Sequence, residues 1–107
     1  MSMWYSIVGY DVPNSLPLRI QVRAEHIARI KSLDKNGYLL VAGPNPAIDS
    51  LDPGDAGMTG SIIIARFKSL QDAEQWAADD PYVAAGVYER VEVKPFKQVL
   101  PAPKTPS

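Results

Sequence analysis

An α+β sandwich with the element order βαββαβ is the fold this sequence predicts, and three observations carry the prediction. Residues 22–36 and 69–79 repeat their apolar side chains at helical spacing. Residues 3–10, 38–42, 61–67 and 87–97 are apolar runs of strand length bounded by Gly, Pro, Asp or Asn. The two halves of the chain then share one strand–helix–strand order, the split βαβ arrangement of the ferredoxin-like sandwich.

The first strand, 3–10, carries Trp4, Val8 and Tyr10 on its even positions and Met3, Tyr5 and Ile7 on its odd ones, so both of its faces are apolar. Residues 11–15 read as a loop. Ser15 can cap a helical turn in which Pro17 is tolerated, and the main helix starts either there or near Val22. At about 100° per residue, Val22, Ile30 and Leu33 fall within about 40° of His26, which places the histidine inside an apolar stripe. Ile27 and Ala28 widen that face, while Arg29, Lys31, Asp34 and Lys35 lie at its rim or beyond. Gly37 is a good helix stop. The second strand, 38–42, is ended by Gly43-Pro44.

Residues 45–60 read as a loop long enough to suggest function. The third strand, 61–67, is apolar on both faces apart from Ser61 and Arg66. Ser69 and Asp72 resemble a capping box, with Asp in place of the usual Glu. The helix they open gathers Leu70, Ala73, Trp76 and Ala77 on one face. It stops at Asp79-Asp80-Pro81, and the proline holds Asp80 at a turn and not on a helix. Residues 81–86 are short and rich in small residues. In the last strand, 87–97, Val91 and Val93 oppose Glu92 and Lys94. Residues 1–100 thus form one domain, and 101–107, with three prolines, a frayed tail.

Composition narrows the function. In 107 residues the formal net charge is -1, the pI is about 5.7, and no run of lysines or arginines occurs. Nucleic acid and anionic membrane are therefore poor partners. The absence of cysteine removes thiolate nucleophiles, disulfides and cysteine metal sites. With neither a basic leader with an apolar core nor a run of membrane-spanning length, a soluble cytoplasmic protein is expected. Both helices should lie on one sheet face, yet strands one and three are apolar on both sides. A second copy of the chain is the simplest cover for the other face, which predicts a homodimer built sheet to sheet.

Four segments carry a resemblance: Val22-Arg23-Ala24-Glu25-His26-Ile27-Ala28-Arg29, Leu40-Val41-Ala42-Gly43-Pro44-Asn45-Pro46-Ala47, Gly57-Met58-Thr59-Gly60-Ser61, and Asp80-Pro81-Tyr82-Val83-Ala84-Ala85-Gly86-Val87-Tyr88. Together they resemble the YCII-related (YciI-like) family over residues 3–98. The resemblance implies a dimeric α/β-barrel version of the ferredoxin-like fold and a His26–Asp80 pair facing a pocket. Relatives often carry Arg-Pro-x-His, and Ala24 stands here where that proline falls, which allows the helix to begin earlier. The clearest chemistry among distant members is a lyase acting on a halogenated ring.

His26 is the only histidine, and its side chain is the one that exchanges protons freely near neutral pH. From spacing alone a single histidine in an apolar stripe is more often a hydrogen-bonded core residue; the resemblance turns that balance toward catalysis. Asp80 at one ring nitrogen would fix the tautomer and leave the other nitrogen as general base or acid. Arg23, one turn before His26, either binds an anionic substrate or forms a surface ion pair with Glu25 or Asp34. Ser61 could donate to a ligand, although a strand-start serine satisfying a loop carbonyl is the commoner case. Tyr82 lines the pocket or packs. The glycines at 54, 57 and 60 lack a phosphate-loop lysine and precede a strand, so a turn or lid is preferred there. The tryptophans and tyrosines are assigned to core and interface. No metal site is expected from one histidine and no cysteine, and no cofactor is expected.

The reading is a homodimer with one pocket per subunit for a small, flat or cyclic, anionic molecule. It would be a lyase or isomerase working by proton transfer without a covalent intermediate. A non-catalytic dimer that binds or senses a metabolite in the same pocket is the alternative. A purely structural dimer would leave the long loop unexplained.

Overall fold

A computed structural model describes residues 2–104. Its order is β1 (Met3–Asp11), α1 (Leu16–Lys35), β2 (Leu39–Pro46), a 3-10 turn (Gly54–Ala56), β3 (Met58–Phe67), α2 (Leu70–Ala78), α3 (Pro81–Ala84) and β4 (Tyr88–Phe96). The four strands form one antiparallel sheet in the order β2-β3-β1-β4. This is the ferredoxin-like topology expected from the element order. A four-residue helix, α3, is added after Asp80.

α1 is one continuous helix of 20 residues that starts at Leu16, eight residues before Ala24. Pro17 falls in its first turn, where a proline removes no intrahelical hydrogen bond. Ser15 occupies the N-cap position, but its hydroxyl donates to Asp11 and not into the helix. Asn36 follows the last turn, and Gly37, at φ 77°, takes the left-handed conformation that turns the chain into β2. α2 is capped as the Ser69-x-x-Asp72 pattern suggests, the Asp72 amide donating to Ser69 Oγ at 3.1 Å. Ala73 and Ala77 of that helix are buried, whereas Leu70 stays 39% exposed.

Two boundaries differ from expectation. β2 does not stop at Gly43-Pro44; it pairs with β3 through Pro46, with Asn45 opposite Gly60. β2 is an edge strand, and there a proline's missing amide breaks no ladder bond on the solvent side. β3 correspondingly begins at Met58, so the irregular connection shrinks to residues 47–57 and is closed by Ala47 N–H donating to the Gly57 carbonyl at 2.9 Å. Of the tail at 101–107, residues 105–107 lie outside the described residues, and 101–104 are exposed.

The core lies between the helices and one face of the sheet. Ile7, Ile63, Ala65 and Ala77 are buried there, with Ile30, Leu33, Trp76 and Val91 packed around them. The alternation along β1 and β3 sends Tyr5, Ile7, Ser61 and Ile63 to this face and Trp4, Val8, Ile62 and Ile64 to the other. Ile62 is 38% and Val41 53% exposed, so an apolar surface remains across the back of the sheet. Among the described residues no helix is long and apolar enough to cross a membrane.

Candidate active site

Because α1 begins at Leu16, Arg19, Arg23 and His26 stand at positions i, i+4 and i+7 and share one helix face. His26, only 5% exposed, is buried against α3. Its Nδ1 lies 2.9 Å from both carboxylate oxygens of Asp80. Asp80 is held there by its backbone: Pro81 pushes it to extended geometry (φ -63°, ψ 130°), and as N-cap of α3 it accepts the Tyr82 amide at 2.8 Å. The Tyr82 ring stacks on the imidazole at 3.8 Å with 8° between planes. A carboxylate that is ionised only accepts, so opposite such a group a neutral imidazole would carry its proton on Nδ1 and its lone pair on Nε2. Nε2 has no partner among the described residues. Arg29 Nη1 is the one side-chain atom found both fully buried and unpaired there, so Nε2 keeps contact with open space.

A second buried pair adjoins the first. Asp11, at the end of β1, takes Arg19 Nε at 2.6 Å and Nη2 at 2.8 Å, and it also accepts from Ser15. Arg19 Nη2 further reaches the Gly60 carbonyl and Ser61 Oγ, both at 2.9 Å. The guanidinium carbon lies 5.0 Å from the centre of the Tyr82 ring, so the same tyrosine touches both pairs. Burial works against the Arg19 charge, but the hydrogen bonds and charge of Asp11 outweigh it and hold the guanidinium above its ordinary value. Burial also raises the phenols of Tyr82 and Tyr88.

Tyr88 reaches this region through a bulge. Counting back from Val91 and Val93 would send it to the other face, but the register shift at Tyr10/Asp11 sets it opposite Asp11. Its ring then crosses Gly9 so closely that a Cβ there would lie 2.5 Å from Tyr88 Cζ. Gly60 is required for a similar reason, since its Cβ would strike the Gly9 carbonyl oxygen.

A cavity of about 220 Å³ opens between α1 and strands β2 and β3. Ile27, Ile30, Leu39 and Ile63 give it apolar walls, and Arg19, Arg23, His26, Ser61 and Tyr82 its polar and aromatic ones. All five residues singled out from the sequence therefore fall in or beside one pocket, Asp80 standing behind the imidazole. Arg23 is exposed at the mouth, and among the described residues it forms neither of the ion pairs with Glu25 or Asp34. Ser61 is not at a strand start facing a loop carbonyl; it is the fourth residue of β3, buried, and meets Arg19. Arg19 and Asp11 are the members that the sequence reading missed. Among the described residues no three His, Asp or Glu side chains gather as a metal cluster would require.

The model of the YCII-related domain matches residues 3–97. The chain belongs to the YCII-related family. It is 58% identical over 98 residues to protein YciI of Escherichia coli, covering 92% of this chain and all of that one. An uncharacterized protein of Haemophilus influenzae is 57% identical over the same length, with the same coverage. Among solved structures it is similar to 5-chloro-2-hydroxyhydroquinone dehydrochlorinase (TftG) from Burkholderia phenoliruptrix AC1100, in complex with 2,5-dihydroxybenzoquinone. The TM-score is 0.79 with 29% identity, over 91% of this chain and 96% of that one. A NIPSNAP family protein from Agrobacterium tumefaciens shares the fold at a TM-score of 0.53 and 16% identity, covering 98% of this chain and all of that one.

Proposed function

We propose that this protein is a small-molecule enzyme of the lyase or isomerase type, acting as a cytoplasmic homodimer, in which His26 moves a proton and Asp80 orients it. The observation that carries the reading is His26 Nδ1 at 2.9 Å from Asp80 in an imidazole that lines the cavity and whose Nε2 has no partner among the described residues. Nε2 takes a proton from a hydroxyl or carbon of the substrate. The electron pair released either expels a leaving group with its bonding pair or accepts a proton at another atom of the substrate, giving elimination or isomerisation. Asp80 stabilises the imidazolium formed, and the stacked Tyr82 ring fixes the imidazole plane. Such general base catalysis contributes about 10²- to 10⁴-fold in rate.

An apolar cavity of about 150 Å³ holds a benzene ring, so 220 Å³ suits a single substituted ring. Similarity to a dehydrochlorinase of a chlorinated hydroquinone supports elimination from a hydroxylated ring as the reaction class. The apolar back of the sheet, with Trp4, Val8, Val41 and Ile62, supports a homodimer joined through that face.

The test is chloride release from a panel of chlorinated, hydroxylated rings by the wild type, His26→Ala and Asp80→Asn, with light scattering on each. Turnover reduced at least about 100-fold in both variants, with the dimer intact, supports the reading. Lost affinity without any wild-type turnover would assign a binding module instead. A monomeric wild type would remove the dimer.

A further inference from the structure

The last turn of α2 gives up a hydrogen bond where Asp80 leaves it. In a continuing helix the Asp80 amide would donate to the carbonyl four residues back, that of Trp76. Pro81 holds Asp80 extended, and its amide donates instead to the Ala77 carbonyl at 3.2 Å. The Trp76 carbonyl thus freed is taken from outside the helix, Arg29 of α1 donating Nη2 to it at 2.8 Å. α2 has no basic residue in its own last turn, so this guanidinium is also the positive charge that a helix C-terminus favours. We propose that Arg29 is the positioning residue of the His26–Asp80 pair, capping the end of α2 from α1 and so holding Asp80 at the imidazole. The inference rests on the proposed role of that pair and adds the residue that keeps it aligned.

His26 and Arg29 are one turn apart on α1, and Trp76 and Asp80 are one turn apart where α2 ends. The bonds from His26 to Asp80 and from Arg29 to Trp76 are therefore two rungs between the same two segments, and Asp80 cannot slide along α1 without disturbing both. The other anchor of Asp80, the Tyr82 amide, lies two residues away and moves with it. That bond turns the carboxylate but does not fix its distance from α1. Trp76 in contrast is a fixed point, packed on the core and against Phe67 with ring centres 5.8 Å apart. Its indole faces the Arg29 guanidinium, whose carbon lies 4.3 Å from the ring centre. Arg29 Nη1 is buried without a partner among the described residues. A buried donor left unpaired detracts from stability, which sets Arg29 apart from residues that only pack.

The experiment follows the Nδ1 proton of His26 by NMR in the full chain and measures its exchange with water, which requires Asp80 to leave the ring. Arg29→Met keeps an unbranched stem but removes the bond to Trp76, and should speed that exchange about 10- to 100-fold. Arg29→Lys, whose ammonium can reach the same carbonyl, should restore most of the protection. Trp76→Phe keeps the backbone carbonyl and should change the rate less than Arg29→Met does. Val93→Ala lowers overall stability without removing either rung and should leave the rate as it is, whereas a merely structural Arg29 would make Arg29→Met and Val93→Ala alike. An exchange rate unmoved by Arg29→Met, or moved equally by Val93→Ala, would overturn the role of Arg29 while leaving the pair. A wild-type imidazole without a protected Nδ1 proton would overturn the reading of the pair itself. Should Arg29→Met fail to fold, Arg29→Gln, which keeps a polar end without the reach or the charge, decides by the same rate.

Discussion

Asp11 and Asp80 are both buried, and both are tied to a basic side chain of α1 that touches the Tyr82 ring, yet they do different work. Asp11 receives a hydroxyl and two guanidinium donors, none of which gives up its proton near neutral pH. Asp80 receives one backbone amide and an imidazole, whose proton can leave. The first pair is a fixed charge frame that joins β1, α1 and β3 at Gly60 and Ser61. In the proposed function the second is a movable proton held by a cap. What separates them is the partner and not the burial, and this is why one pair reads as structure and the other as chemistry.

The comparison is sharpest in the unfolding energies of two matched substitutions. Asp11→Asn leaves a buried guanidinium without its counter-charge and should lower stability by about 3–5 kcal/mol, read as a fall in the urea midpoint. Asp80→Asn should cost only about 1–2 kcal/mol, because its amide oxygen still accepts the Tyr82 amide and the imidazole can remain neutral. The reverse order would mean that the His26 pair is the structural one.

A smaller effect belongs to Tyr88. Its phenol is raised above the ordinary value of about 10 by burial, so the folded state keeps a proton that the unfolded chain releases. Its contribution is complete below that ordinary value and is lost as pH rises above it, at no more than about 1.4 kcal/mol per pH unit. Tyr88→Phe should therefore flatten the alkaline fall in melting temperature without moving the midpoint near neutral pH by the same mechanism. An unchanged alkaline slope would place the Tyr88 hydroxyl in water.

The sequence made the helix around His26 and the turn at Asp80 legible, because an apolar stripe and an Asp-Pro step are local signals. It left the fixed pair unseen. Arg19 precedes His26 by seven residues, which at about 100° each brings it within about 20° of the same face. The spacing could have found it, had the helix start not been open between Ser15 and Val22. Asp11 read as a loop residue because nothing local marks the end of β1; only pairing to β4 carries the strand that far. Tyr88 was hidden by a bulge, and a bulge reverses the inward and outward alternation on which such readings depend. β2 runs through Pro44 and ends at Pro46 because it is an edge strand, a fact of sheet order that no window along β2 contains. The apolar back of the sheet, in contrast, was visible in the doubled alternation of β1.

The central claim is that Asp80 holds the imidazole with its proton on Nδ1 and a bare Nε2 toward the cavity, and the ¹⁵N spectrum of this protein's single histidine reads that directly. In the neutral form the account predicts a protonated Nδ1 and an unprotonated Nε2. In Asp80→Asn it predicts a reversed tautomer, because the amide oxygen serves Tyr82 and the amide nitrogen then donates to Nδ1. A wild-type imidazole protonated on Nε2, or a tautomer indifferent to Asp80→Asn, would contradict the account.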